Sequence, residues 1–477
     1  MPVTLENWKI RKPARNRIWP SAEDFLGDLL LFAVMAAGTF SVKVVGALPG
    51  SEILLLPFYP LLVSKYGKRA FRRDFLWFYV LAAGWLLSTV AADLYLDMPM
   101  ANRMKGIARI VFFVLDFSAI AALVNSSRRV IVFTLGFVLI LFAQSFRYRT
   151  EFLTAWKFGI GPCTLLLALI LSCYFYRRGR FTVCLLIALG LAALNLIFAT
   201  RSPLAILLIS TVVVLPLFSE GGNRKDARRP RSGKAGSRQG SPAGSTQGTM
   251  RALRAAFLLL LAGGAAYGAN KAVEYAAAHG FFDQSIKEKF QTQENGKLGV
   301  LFGGRPETLV AIQAIRDSPI VGHGSFAVDP KYFQLEQEIR YKYDYSNTDQ
   351  EGEDDSGSIP THSHLTLAWV ESGLLGGVFW IYIFVLTIRG LWALSGLRNP
   401  LAPLLSFYLV DFLWSILYSP MGSVNRIWDS VFILFCFDLL RASAQTPRVA
   451  APAKLTTMQN QRLRVRGGAA WPARGRG

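Results

Sequence analysis

An all-α, polytopic bundle of transmembrane helices is the fold class this sequence predicts, and three observations carry that expectation. Hydrophobic residues make up 52% of the 477-residue chain and aromatic residues 13%, with a mean hydropathy of +0.34. Apolar runs long enough to cross a bilayer recur along most of its length, about twelve of them. Basic residues gather in short blocks between alternate runs, as cytoplasmic connections do. A formal charge of +21 in a soluble protein would point to nucleic acid. Here it is spread over loops rather than held on one domain, so nucleic acid is set aside and the lipid bilayer is the expected partner.

The elements follow in order. Segment 1–24 carries Lys9, Arg11, Lys12, Arg15 and Arg17 ahead of an apolar run. It shows no small-residue cleavage site, so it reads as a cytoplasmic start to a retained first helix. Eight spans are expected within 25–218, at roughly 25–40, 45–63, 75–92, 107–124, 130–146, 158–176, 181–199 and 203–218. The second is interrupted by Gly50-Ser51-Glu52 and two prolines. Residues 219–254 are basic and rich in glycine and serine, the composition of a disordered cytoplasmic loop. A ninth span at 255–270 leads into a large, partly helical loop, 271–365, ahead of the third-last span. Three spans fill 366–440, at roughly 366–388, 401–417 and 428–440. A basic cytoplasmic tail, 441–477, follows and suits anionic lipid. The four cysteines, Cys163, Cys173, Cys184 and Cys436, lie in apolar runs with neither metal-ligand spacing nor a disulfide role.

Charge orients the bundle. One set of alternate connections holds Lys65, Lys68, Arg69, Arg72 and Arg73, then Arg128 and Arg129, then Arg177, Arg178 and Arg180. It continues through the 219–254 loop, Arg389 with Arg398, and the tail. With the N-terminus inside, all of these are cytoplasmic. Arg103, Lys105, Arg147 and Arg149 fall against the bias. The loop ahead of the third-last span is then outside. Its residues 271–360 carry fifteen acidic against nine basic side chains, opposing the charge of the inner loops, and all four histidines lie in the loop or at its edge.

Chemistry is sought on that outer face. Arg201, in the short turn Ala199-Thr200-Arg201-Ser202-Pro203, is costly between apolar helices unless paired or functional. Arg305 follows Gly303-Gly304, where backbone can approach a ligand closely. Two guanidinium groups suit a phosphate or pyrophosphate, to which they donate forked, charge-assisted hydrogen bonds. Outside the cytoplasm no ATP drives synthesis, so a donor must bring its own leaving group, as a lipid pyrophosphate does. His362 and His364 stand where the loop becomes a membrane helix, with Thr361 as the expected N-cap, and an imidazole can accept a proton near neutral pH. His323 sits between Gly322 and Gly324 in an expected turn. Ser372/Gly376 and Gly373/Gly377 form small-xxx-small pairs that would let another helix approach. Glu371 is expected to be structural, on the side of its helix away from His362. The acidic run 349–355 reads as a solvated loop.

These residues resemble the bacterial O-antigen ligases and related polysaccharide polymerases. The resemblance rests on Thr200-Arg201-Ser202, on Gly304-Arg305-Pro306-Glu307 followed by Pro319 and Gly322-His323-Gly324-Ser325-Phe326, and on His362-Ser363-His364 with Glu371-Ser372-Gly373-Leu374-Leu375-Gly376. It covers about residues 194–379, earlier spans matching in character alone. Ser363 stands where asparagine is usual, and Thr308 or Leu309 where a tryptophan is common. The resemblance implies an inverting, metal-independent glycosyltransferase without cofactor, in the bacterial inner membrane with its site facing the periplasm. Its partners would be a polyprenyl-pyrophosphate-linked glycan donor and a glycolipid acceptor. It implies His362 as general base, Arg201 and Arg305 as pyrophosphate ligands, and Gly304, His364 and His323 as further binding residues. The expected reaction is polymerisation of O-antigen or exopolysaccharide repeats. Ligation to lipid A core, or to a protein, is the alternative. Asp116, Asp411 and Asp438 interrupt apolar runs and raise a rival class, a transporter or flippase of lipid-linked glycan. No pair of broken helices in equivalent halves supports it.

Overall fold

Where water is excluded, every backbone N–H must find its acceptor within its own segment, so apolar runs become helices. The computed structural model describes residues 22–146, 152–222, 307–342 and 358–445 apart from positions 45, 199 and 398, with isolated positions between 264 and 275. It is mostly helical. Helices α1 (Ala22–Ala37), α2 (Gly50–Ala70), α3 (Leu76–Tyr95), α4 (Met100–Leu123) and α5 (Ser127–Ser145) come first. A two-stranded hairpin, β1 (Ser41–Lys43) with β2 (Ala47–Pro49), joins the first two. Next come α6 (Phe152–Ala155), a π-helical turn at Trp156–Ile160, α7 (Gly161–Arg177), α8 (Phe181–Ile197) and α9 (Arg201–Gly222). Then follow α10 (Glu307–Asp317), α11 (Pro330–Lys342), α12 (His364–Ser395), α13 (Ala402–Tyr418) and α14 (Asn425–Gln445).

Five helices among the described residues are long and apolar enough to cross a membrane: α3 with the turn before it, α4, α5, α7 with its π-helical lead, and α12. Shorter apolar stretches occur in α8 (Phe181–Asn195), α9 (Ser202–Val214) and α13 (Ala402–Tyr418). The predicted second span is corrected at its start. Residues 47–49 form β2, and helix begins only at Gly50, continuing past Pro57 and Pro60 to Ala70. The predicted loop 219–254 is corrected at its first residues, since α9 continues to Gly222. The ninth span at 255–270, residues 1–21 and the tail from 446 lie outside the described residues or touch them only at isolated positions.

Helix α12 is the centre, packed by α3, α13 and α14. Its Phe379 stacks on Trp85 of α3 at 5.1 Å between centroids, and its Trp380 stacks on Phe113 of α4 at 5.9 Å. Buried charges tie the bundle together. Arg109 of α4 donates to Glu371 of α12 at 2.7 Å, and Arg426 of α14 grips both carboxylate oxygens of Glu52 on α2 at 2.7 and 2.8 Å. Arg129 of α5 reaches Asp28 of α1, and Arg72 reaches Asp438. Each pair joins segments far apart in sequence, where an unpaired charge in an apolar interior would be strongly destabilising. Helix α10 repeats the logic on a small scale. Its Val310, Ala311 and Ala314 fall on one face and pack with Tyr332, Ile359 and Val370.

Candidate functional site

Ser363, not Thr361, is the N-cap of α12: its Oγ accepts from the Thr366 N–H at 2.9 Å. His364 is therefore the first helical residue and is buried. Its Nδ1 lies 2.7 Å from the carbonyl of Ser419, which can only accept, so Nδ1 carries a hydrogen. Its Nε2 lies 3.0 Å from Asp429 Oδ2 on α14, so a proton is held between ring and carboxylate. Both ring nitrogens are thus engaged, and the start of α12 is pinned to the α13–α14 turn. His362, two residues earlier, is exposed in non-helical backbone.

Arg201 opens α9. The turn before it is fixed by Thr200, whose hydroxyl donates to Asn195 Oδ1 at 2.7 Å, while Asn195 Nδ2 donates to the Leu191 carbonyl at 2.8 Å. Thr200 and Asn195 line a cavity of about 270 Å³ that Ser419, Asn425 and Asp429 also line. The turn bearing Arg201 thus lines the same cavity as the two residues that hold the His364 ring. Gly304 and Arg305 lie just ahead of α10, outside the described residues. Helix α10 itself packs on α12 and on Ile359, three residues before His362.

The Gly322-His323-Gly324 turn is formed as the sequence predicts. Both glycines have φ of 84°, a left-handed conformation that a side chain rarely tolerates. The turn is laid into a break in α12. Gly373 has φ 62° and ψ −149°, and the carbonyls before the break and an N–H after it take the turn through three bonds. The His323 N–H donates to the Val370 carbonyl at 2.7 Å, Gly324 to Glu371 at 3.0 Å, and Leu374 to Ile320 at 3.1 Å. Because the helix breaks there, Gly376 and Gly377 face Ala368 and Trp369 of the same element rather than a neighbouring helix. Ser372 does serve a close approach, bonding Thr89 at 2.8 Å and accepting from Trp85 at 3.2 Å, both on α3. The His323 ring is held by α10 and α11, with Nε2 at 2.8 Å from the Ala314 carbonyl and the ring edge-on to Tyr332.

Asp93 was not foreseen, yet it clamps the same turn, accepting from the Ser325 N–H at 2.6 Å and hydroxyl at 2.8 Å. Arg109 was missed as well. It pairs with Glu371 and lies 4.5 Å from the Phe326 ring centroid, while Glu371 also accepts from the Phe326 N–H at 3.2 Å. Arg103 and Lys105, which fall against the charge bias, both have partners. Arg103 meets Asp97 at 2.7 Å, and Lys105 sits 5.4 Å from the Phe326 ring centroid. Alternating basic residues at 105 and 109, one helical turn apart, were the available signal. Glu371 stands as structural, paired with Arg109. His362 lies outside the helix, so helical register does not relate the two.

Outside the membrane segments, Asp317 at the end of α10 receives the Lys331 ammonium at 2.5 Å and the Tyr332 hydroxyl at 2.7 Å. Lys331 first, then Tyr332, hold its carboxyl down to about 2. The same carboxylate, after burial, keeps the Tyr332 phenol above its ordinary range. The four cysteines are free and buried. Among the described residues no three histidine, cysteine or acidic side chains form a metal-holding group, and the acidic run 349–355 is not among those residues. No protein-family model matches the chain, and no curated protein matches it.

Proposed function

We propose that this chain is an inverting glycosyltransferase of the bacterial inner membrane, working at the periplasmic face without a metal. The donor is a polyprenyl-pyrophosphate-linked glycan and the reaction extends O-antigen or exopolysaccharide repeats. The observation that carries the reading is one shared cavity. Thr200, just before Arg201, lines a cavity also lined by Ser419 and Asp429, the two residues that hold the His364 ring behind His362, and α10, just after Arg305, packs with Ile359 ahead of His362.

The chemistry follows from residue type. The acceptor hydroxyl oxygen attacks the anomeric carbon from the side opposite the phosphate, and the sugar–phosphate C–O bond breaks. The pyrophosphate leaves with the electron pair, and Arg201 and Arg305 neutralise its charge through forked hydrogen bonds. His362, exposed and ahead of the helix, takes the hydroxyl proton, a contribution of roughly 10²–10⁴-fold. His364 and the His323 turn fix the backbone on either side.

Purified protein in detergent, given lipid-linked oligosaccharide alone, tests the reading. Longer glycans identify a polymerase, and consumption only with added core lipid identifies the ligase alternative. Unchanged lipid under both conditions favours transport. His362→Ala folds normally and loses on the order of 10²-fold in rate. Near-normal turnover by that variant overturns the mechanism.

A further inference from the structure

The cavity between α5, α7, α9, α13 and α14 has two sides of different chemistry. One is apolar, made by Phe137, Trp156, Leu165, Leu166, Trp428 and Phe432. The other is polar: Asp411 and Ser415 lie four residues apart on one face of α13, with Ser419 in the turn that follows, and Lys157, Asn195, Thr200 and Asn425 also line it. Asp429 on this lining already has a hydrogen-bond partner in His364. Asp411 has none: among the described residues its carboxyl makes no hydrogen bond or ion pair, and the charge acting on it is Asp429, another carboxylate. Ser415, one turn along, likewise makes no side-chain hydrogen bond among them. A carboxyl and a hydroxyl, both unmatched, therefore face an aromatic and aliphatic wall about 6 Å apart along the helix axis.

A hydrocarbon chain alone would leave Asp411 buried against it with nothing to offset its desolvation. A ring with an apolar C–H face and a polar rim fits both sides, and a positive charge on the rim answers Asp411 beside aromatic faces that also attract cations. At about 270 Å³ the cavity falls just under the roughly 300–1,000 Å³ typical of drug-sized ligands, and so suits a single ring.

We propose that this cavity is a binding site for an amino sugar, its ammonium group on Asp411, a neighbouring hydroxyl on Ser415 and its ring against the aromatic wall. The inference rests on the glycosyltransferase reading for the source of the sugar, a residue of the donor glycan, and makes Asp411 a specificity-determining residue. Neutral sugars then fit the shape but leave the carboxylate unanswered.

Binding is read on the full-length protein in detergent as ligand-induced thermal stabilisation, which rises with ligand concentration over dissociation constant. The probes are glucosamine, N-acetylglucosamine, glucose and cyclohexylamine. Glucosamine is expected to stabilise the wild type, the two neutral sugars at least tenfold more weakly, and cyclohexylamine more weakly than glucosamine. Asp411→Asn, which keeps the shape and breaks no hydrogen bond, loses at least tenfold in glucosamine affinity with its ligand-free midpoint unchanged. Ser415→Ala loses less. Equal binding of glucose removes the charge requirement, and equal binding of cyclohexylamine removes the sugar; either overturns the proposal, as does stabilisation by none of them. Glucosamine binding by a protein that transfers no glycan would sink the proposed function and leave the site. Transfer with undiminished amino-sugar preference in Asp411→Asn would sink the site and leave the function.

Discussion

Replacing Glu371 with alanine strands Arg109. Arg109 is 6% exposed, and its hydrogen-bonded carboxylate partner is Glu371, at 2.7 and 3.3 Å. Breaking a buried pair from one side typically costs about 3–5 kcal/mol, because the remaining charge stays desolvated. The Phe326 N–H loses its acceptor at the same time, adding roughly 1 kcal/mol. Against a net stability of only about 5–15 kcal/mol for most proteins, the loss is a large fraction. The four buried cysteines make the assay. A thiol-reactive fluorophore added during heating reports their exposure as the bundle opens, and the Glu371→Ala midpoint should fall by several degrees or more. Restoring neutrality tests the cause: Arg109→Met combined with Glu371→Leu should recover most of the loss, since an apolar pair of similar volume replaces the ions. A single variant melting with the wild type refutes the argument. So does a double variant as unstable as the single one.

Gly373→Ala should be comparably damaging. Its φ of 62° with ψ −149° is open essentially to glycine alone, and a Cβ would collide with the Ile320 carbonyl, so strain of about 1–3 kcal/mol adds to loss of the turn's backbone bonds. Protease cleavage at 318–326 should accelerate, and unchanged cleavage refutes it. His364→Ala leaves Asp429 buried without its partner and should lower the melting midpoint, whereas His362→Ala should not; equal midpoints for the two argue against the pinning role. Asp317 supplies a pH test. Its folded value of about 2 lies below the ordinary 3.8, so its contribution is complete above that value and disappears as pH falls through about 2. Hydrogen exchange of α10 and α11 amides, corrected for intrinsic rate, should rise between those limits and stay flat in Asp317→Asn.

Helices were legible because apolar runs and the exclusion of water leave the backbone little choice. The turn at Gly322 and Gly324 was legible too, since two glycines around one residue announce positive φ. Hidden were the features that depend on residues distant in sequence. Gly373 reads as a helix-contact glycine until Ile320 is seen filling the break. Arg109 falls inside the expected fourth span, and nothing near it in sequence announces Glu371, 262 positions later, as its partner. Ser363 was passed over for Thr361 as the cap because both residue types cap well and only backbone geometry chooses. At the site, the positions of Arg201 and His362 relative to their helices follow from local sequence. The cavity lined by Thr200 and Asp429 follows from none, being assembled from five helices.

Those distant pairings have a consequence for synthesis. A chain emerges from its amino end, and Arg109 waits 262 residues for Glu371, as Glu52 waits 374 for Arg426. At roughly 5–20 residues per second, the first wait alone is roughly 13–50 seconds. During that interval α4 exists without the carboxylate that makes its arginine tolerable in an apolar setting, and α2 carries a carboxylate without its arginine. The early helices must therefore linger at the insertion machinery or at the water boundary until α12 and α14 arrive. A chain truncated before residue 364 leaves Arg109 without Glu371, and quality-control proteases that scan for charge in the wrong solvent gain a handle on it.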